Sequence, residues 1–396
     1  MKGVRYISLA ENSGYGIAAQ GYLRSLLSAG VDVEWLPLVA TQLGFLPWNM
    51  VDGWEAWIAG LAESASDHGF FGEAVQRTIG RCVDPDTIII HCTPENWPRL
   101  SEPGKRNIGY TVWETDAPPP HWKGLMNSVD HILVPSRFNK EMFQKAGIEP
   151  PIDVVPHIVR PEPATLSTER VDSFRDEHGI PREHFVFYAI EAWTPRKALW
   201  KTIHAFLQTF DADDPVSLVV KTGRTGPRSS AAPDNSPTET LVQELVSHYE
   251  RPPSVVLINY EITTVEIDLL HHTGDCYLSL AHSEGWGLSV FDAAASGNPV
   301  IVTGWGGHLD FLGDRWPYLI DFEMAPVMDA QGRGSYLPTQ NWAAPSIDDA
   351  VRLIREVYEN PEPARRHAAA RAGRIAKEFG QEAVGKQLLG VIRGGA

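Results

Sequence analysis

The sequence predicts an α/β protein built from two Rossmann-like domains in tandem. Strand-like apolar runs alternate with helix-period segments along most of the chain. The alternation stops between residues 160 and 183, a stretch rich in Pro, Ser/Thr and charge, and then begins again. Several runs, such as Thr87-Ile88-Ile89-Ile90-His91, are apolar at consecutive positions. That suits parallel strands covered by helices on both faces.

The elements follow in order. Val4 to Ala10 reads as the first strand, and Ser13-Gly14-Tyr15-Gly16 as a turn. A helical period then runs through Ala19, Tyr22, Leu23, Leu26 and Leu27 to Gly30. Val31 to Trp35 alternates as a second strand, and further strands are expected at 87–91, 107–112, 131–135 and 154–155. Residues 160 to 183 read as a linker with a short helix. The second series places strands at 185–190, 217–221, 255–258, 276–280 and 299–302. Residues 224 to 238 and 326 to 346 read as irregular loops, and the chain from about 347 onward as helical. The expected domains are 1–165, 166–375 and a terminal helix at 376–396.

With 396 residues, 43% of them hydrophobic, there is material for more than one core. Lys and Arg number 34 against 50 Asp and Glu, a formal charge of −16. A field of that sign repels phosphate backbones and anionic bilayers, so no nucleic-acid partner is expected. From Ser25 through Gln76 there is no Lys or Arg, which argues against docking of this segment on anionic lipid. Cys82, Cys92 and Cys276 show no CxxC spacing and are expected as reduced thiols of a cytoplasmic protein. No run reaches the roughly 18 apolar residues of a membrane span.

The densest chemical signal is His282-Ser283-Glu284-Gly285-Trp286-Gly287-Leu288, continuing through Asp292 to Gly297 and Pro299-Val300-Ile301-Val302, then Gly304-Trp305-Gly306-Gly307-His308. It reads as a strand, a glycine-rich turn, a helix, a glycine cap, a strand and a second glycine-rich turn. Gly285 and Gly287 would let backbone approach a ligand, and a helix starting near Leu288 would aim free N–H groups at it. Glu284 and Asp292 can face that ligand from the same side. A second cluster, Trp193-Thr194-Pro195-Arg196-Lys197, follows the strand ending at Ile190.

In register, this stretch resembles the signature of GT-B retaining glycosyltransferases of family 4, a Glu, seven residues, a second acid and a Pro-Val strand. The resemblance reaches nearly the whole chain. Ser13-Gly14-Tyr15-Gly16 looks like the family's N-terminal glycine loop, and Asp130 to Ser136 and Val154 to Val159 look like its end-of-first-domain segments. Phe379-Gly380-Gln381-Glu382 stands where the family's last helix returns to the first domain. The resemblance implies two Rossmann-like domains facing a cleft and hexosyl transfer from a nucleotide-diphosphate sugar, UDP- or GDP-linked. The acceptor would be a carbohydrate, small-molecule or protein-presented hydroxyl. The implied mechanism is front-face and retaining, with no cofactor and no catalytic metal.

Carried over residue by residue, Glu284 would hold the transferred sugar and Asp292 the ribose, one methylene shorter than the usual Glu. Lys197 matches the lysine that grips the diphosphate, whereas the family's arginine is Ala192 here. Arg196, or Arg224 after the next strand, could supply that second charge. Gly14, Gly16, Arg224, Gly285, Trp286, Gly287, Leu288 and Asp292 form the expected donor set, with Glu284, Lys197 and Arg196 as catalytic residues. Tyr110 to Asp116 occupies the segment where relatives carry a His-Asp pair. Trp113, Glu114 and Asp116 are therefore the expected acceptor-side residues.

The altered positions leave a second reading, a non-catalytic relative serving as partner subunit of an active transferase. A nicotinamide oxidoreductase or an epimerase fails on the missing third glycine after the first strand. Asp84-Pro85-Asp86 and Asp211 to Asp214 mimic a DxD metal motif, but turn chemistry explains both. No HExxH, GxSxG or Walker loop is present. Of seven tryptophans in the first half (Trp35, Trp48, Trp54, Trp57, Trp97, Trp113 and Trp122), most are expected in the core.

Overall fold

The computed structural model describes residues 2–10, 13–41, 44–53, 78–81, 83–160, 166–224, 237–329 and 334–394. Trp54, Trp57, Cys82 and most of the 224–238 loop lie outside these. The chain divides into two compact units. Unit 1 comprises Met1–Trp113, Ala117–Arg160 and Ala376–Ala396, and unit 2 comprises Glu114–Asp116 and Pro161–Ile375.

Unit 1 is built on a seven-stranded sheet. Its strands are β1 (Val4–Leu9), β2 (Val33–Thr41), β3 (Gly44–Pro47), β4 (Thr87–His91), β5 (Arg106–Tyr110), β6 (His131–Val134) and β7 (Ile152–Val154), in the order β3-β2-β1-β4-β5-β6-β7. All pairs are parallel except β2 with β3. Ile88, Ile89 and Ile90 have no exposed surface, as a central strand between two helical layers requires. Behind β1, Ser13 caps the helix Gly14–Ser28, its hydroxyl accepting from the Gly16 amide at 3.3 Å. Gly14 and Gly16 thus belong to the first helical turn rather than to a preceding loop. That helix packs against the last one, Gln381–Ile392. The approach is close at Gly385, where a Cβ would stand 2.0 Å from Ser25 Oγ.

Unit 2 has a six-stranded, all-parallel sheet in the order β10-β9-β8-β11-β12-β13. The strands are β8 (Phe185–Ile190), β9 (Val216–Lys221), β10 (Ser254–Ile258), β11 (Cys276–Ser279), β12 (Val300–Thr303) and β13 (Leu319–Ile320). The irregular stretch expected at 326–346 is partly wrong. It contains β15 (Asn341–Pro345), which pairs antiparallel with β14 (Phe322–Pro326). The linker at 160–183 does contain a helix, Thr168–His178, closed by Gly179 in the left-handed conformation. Helices Ile347–Glu359 and Pro361–Glu378 follow the hairpin. Trp35, Trp48, Trp97, Trp113 and Trp122 are all buried.

Candidate functional site

The site residues of unit 2 stand just beyond the carboxyl ends of β8 and β11, where ligands of parallel α/β sheets are held. After β8 the chain continues through Glu191, whose amide donates to the Lys221 carbonyl at 3.0 Å, and turns at Trp193 to Ala198. Ala198 has φ 45°, the single non-glycine residue of positive φ among the described residues. It starts the helix Leu199–Thr209 immediately after Arg196 and Lys197. After β11, the 282–287 turn is held from two sides. The His282 amide donates to the Arg196 carbonyl at 2.8 Å, and the Ala343 amide of β15 donates to the His282 carbonyl at 3.2 Å. His282 Nδ1 donates to the Ala343 carbonyl at 2.6 Å, and its ring stacks on Trp342. Burial drops the His282 imidazole to about 4, so it is neutral at pH 7.

The turn needs glycine at two places. Gly287 has φ 84°, and a Cβ there would crowd Glu284 Cγ at 3.3 Å. Gly306, at φ 129°, lies so close that a Cβ would sit 2.7 Å from the Glu284 carbonyl oxygen. The next amide, Gly307, donates to that same oxygen at 2.7 Å. The backbone of Glu284 is therefore clamped, and its side chain is only 9% exposed.

Glu284 pairs with Lys197 Nζ through Oε1 and with Arg196 Nη1 through Oε2 at 3.3 Å. Arg196 Nη1 also donates to the Ser283 carbonyl at 2.8 Å, and its Nη2 lies 3.6 Å from Glu114 Oε1. Tyr336 donates its hydroxyl to Glu114 Oε2 at 2.8 Å. The result is a run of alternating partners, Tyr336–Glu114–Arg196–Glu284–Lys197. Burial alone would favour the neutral form of Glu284, but Lys197 and Arg196 outweigh it and hold the carboxyl below its ordinary range. Burial likewise opposes the charge of Arg196, yet Glu114 and Glu284 raise its proton affinity.

Other sequence-derived residues fall differently. Glu114 and Asp116, read as part of the first half, are counted with unit 2. Asp116 accepts from Asn341 N at 2.7 Å and Nδ2 at 2.8 Å, while its own amide donates to the Asn341 carbonyl. Its carboxylate thus clamps the start of β15. Trp113 stays in unit 1, 5% exposed, its indole N–H donating to the Ala117 carbonyl and its ring against Trp122. It is a core residue there.

Trp286 packs its ring against Phe291 and Phe311, so its side chain supports the turn, and Gly285 is buried beside it. Leu288 opens the helix Leu288–Ala295, whose N-terminus no side chain caps. Asp292 is the fifth residue of that helix, one turn in, partly exposed and within electrostatic reach of Tyr188. Arg224 is exposed, and Gly14 and Gly16 belong to unit 1. Among the described residues, no group of three or more His, Cys, Asp or Glu is arranged to hold a metal ion.

One residue was not foreseen. Glu191 is 5% exposed, accepts from Ser279 Oγ at 2.6 Å through Oε1, and leaves Oε2 buried with no hydrogen-bond partner. Burial raises its carboxyl to about 7, against the pull of Lys197 and Ser279. Ser283 Oγ, Thr222 Oγ1 and His308 Nδ1 are also buried without a partner. These four atoms follow β8, β11, β9 and β12 in turn, so unsatisfied polar groups gather at the ligand-binding edge of this sheet. Buried polar atoms are ordinarily paired, and a cluster of exceptions marks where a ligand or water is expected.

Two Rossmann-like sheets in one chain, the first parallel but for its β2–β3 pair and the second parallel throughout, place the chain in the GT-B fold class. Residues 171–325 match the family model described as glycosyl transferases group 1. It is 22% identical over 185 residues to the alpha-monoglucosyldiacylglycerol synthase of Streptococcus pneumoniae, a match covering 46% of this chain but only 39% of that enzyme. HepE from Anabaena, solved with UDP and glucose, superposes with TM-score 0.65 at 11% identity, covering 100% of both chains. A glycosyltransferase from Rickettsia africae gives TM-score 0.67 at 13% identity, over 99% of this chain and 98% of that one. No described helix is long and apolar enough to cross a membrane.

Proposed function

We infer that this protein transfers a sugar from a nucleotide-diphosphate donor to an acceptor hydroxyl with retention of configuration. The observation that carries the reading is the pairing of Glu284 with both Lys197 and Arg196 at the carboxyl edge of the second sheet. It lies within the segment matched to the glycosyltransferase model, and the HepE structure holding UDP and glucose supports a nucleotide-sugar donor.

In this reading Glu284, ionised and fixed by its clamped backbone, accepts hydrogen bonds from sugar hydroxyls. Lys197 changes partner from Glu284 to the diphosphate, and the uncapped N-terminus at Leu288 offers amides to the same anion. As the anomeric C–O bond to phosphate breaks, charge accumulates on the diphosphate, and these groups stabilise it. The acceptor oxygen bonds to the anomeric carbon on the face the phosphate leaves, and its proton passes to a phosphate oxygen. The side-chain cations supply the positive charge, with no metal in the scheme. Asp292 binds the ribose.

Arg196 has a different part from the one its position in the sequence suggests. Its guanidinium is engaged by Glu114, Glu284 and the Ser283 carbonyl, so it orients Glu284 instead of reaching for phosphate.

Calorimetric titration with UDP, GDP, TDP and ADP tests the reading. One nucleotide should bind selectively, and Lys197→Ala and Asp292→Ala should each weaken it at least ~10-fold, the equivalent of one charge-assisted contact. The absence of binding by any of the four would overturn the donor site and favour the partner-subunit reading. Proton NMR of the product's anomeric signal tests retention.

A further inference from the structure

We propose that Glu191 is a positioning residue of the donor site that acts in its protonated form, so that binding of a nucleotide-diphosphate sugar draws a proton onto its unpartnered Oε2. This rests on the donor reading above and adds to that site a residue that the sequence motifs did not single out.

The argument begins with the charges. The ion-paired run beside Glu191 holds two cations, Arg196 and Lys197, and two carboxyls, Glu114 and Glu284, to which Glu191 adds a third. With all three carboxyls ionised these five groups sum to −1, which opposes an entering diphosphate, and with one carboxyl neutral that opposition is removed. Glu191 is the carboxyl placed to give up its charge. Glu284 and Glu114 each face a cation directly, and Glu284 is held ionised by both Lys197 and Arg196. Glu191 has no cation within ion-pairing distance among the described residues, and its neighbours discourage ionisation. On β11 it faces Ser279 and the phenol of Tyr277, whose own proton its field helps retain. On the turn after β11 it faces Glu284, a like charge, and on its own turn Lys197 and Arg196, both occupied by other carboxylates. From β9 it meets the Lys221 backbone carbonyl, while the Lys221 ammonium turns away to the Thr222 carbonyl at 2.9 Å.

Geometry completes the case. Oε1 already accepts from Ser279, and Oε2 is buried with nothing donating to it. An ionised carboxylate in that position would lack a donor it needs, whereas a carboxylic acid brings its own. Its O–H then becomes a donor at the edge where three other buried polar atoms also lack partners. A donor diphosphate adds negative charge nearby and favours the protonated form further.

The test uses the whole chain and calorimetric titration with UDP-glucose and GDP-glucose, whose phosphates do not titrate between pH 6 and 9. From the ordinary linkage relation, a group that must be protonated at about 7 weakens binding on the order of 30-fold between pH 6 and pH 8.5. Titration at pH 7.5 in buffers of different ionisation enthalpy should show net proton uptake. Glu191→Gln, which keeps an acceptor for Ser279, should abolish both the slope and the uptake. Ser279→Ala removes a bond that favours the ionised form, so it should move the slope to higher pH. Binding that is independent of pH, or a slope and uptake that survive in Glu191→Gln, would overturn this role while leaving the donor site standing. No binding of either sugar nucleotide at any pH would overturn both.

Discussion

The buried Glu191 carboxyl should also govern how the stability of unit 2 depends on pH. Burial lifts this acid from an ordinary 4.5 to about 7, even against the Ser279 hydrogen bond. The sign follows from proton counting. Below about 4.5 the group is protonated in the folded and unfolded chain alike and contributes no pH dependence. Between there and about 7 the folded protein keeps a proton that the unfolded chain has released, so stability falls as pH rises. Above 7 both states are ionised and the full loss persists. At ~1.4 kcal/mol per tenfold change in proton affinity, the loss is on the order of 3 kcal/mol. Glu191→Gln cannot ionise and should escape it. The assay is urea unfolding of wild type and Glu191→Gln from pH 4.5 to 8.5, read as the difference at each pH so that other titrating groups cancel. The variant should gain on the wild type by about 3 kcal/mol across that range, with most of the gain below pH 7. A difference that stays constant from pH 5 to 8 would refute the burial argument.

Three further outcomes follow from the same geometry. Arg196→Met leaves Glu284 and Glu114 without their shared cation and should destabilise unit 2 by about 3 kcal/mol; adding Glu114→Gln should recover part of that in a double-mutant cycle of unfolding energies. Gly306→Ala forces a Cβ against the Glu284 carbonyl in a backbone region alanine avoids, and a loss on the order of 3 kcal/mol is expected by chemical denaturation, with weaker nucleotide binding. Asp116→Ala removes two hydrogen bonds to Asn341 and should cost about 1 to 2 kcal/mol, visible as faster amide exchange in β14 and β15 but not in β8.

Much of the architecture was legible because it rests on local patterning. Ile88-Ile89-Ile90 can be a two-sided buried strand and little else, and Phe185 to Ile190 reads the same way. β14 and β15 were not legible. Phe322 to Pro326 carries Glu323 and Met324 on exposed positions, and Asn341 to Pro345 is too short to show a period. Each is a strand only because the other pairs with it and Asp116, more than 200 residues earlier, fixes Asn341. The site divides along the same line. Glu284 and Lys197 could be placed from their register within glycine-marked turns, and the structure brings them together. Glu191 could not, because a Glu at the end of a strand ordinarily reaches water. Its chemistry arises from the lid of neighbouring turns and from Ser279, which no local pattern records. Trp113 and Asp116 show contacts that no local pattern records, the first packed in the core of unit 1 and the second holding Asn341.

The three-residue excursion Glu114–Asp116 bears on how this protein can be divided or recombined. Neither compact unit is a continuous piece of chain, since the second begins with three residues embedded in the first and the first ends with residues 376–396. A chimera that swapped only the stretch from 161 onward for that of another protein would carry the foreign counterparts of Arg196 and Asn341 while retaining the carboxylates chosen for the original pair. Exchange at the natural-looking boundary would thus mismatch two interactions within a single unit. Lineages of this chain are expected to change Glu114 together with Arg196, and Asp116 together with position 341, as inherited couples.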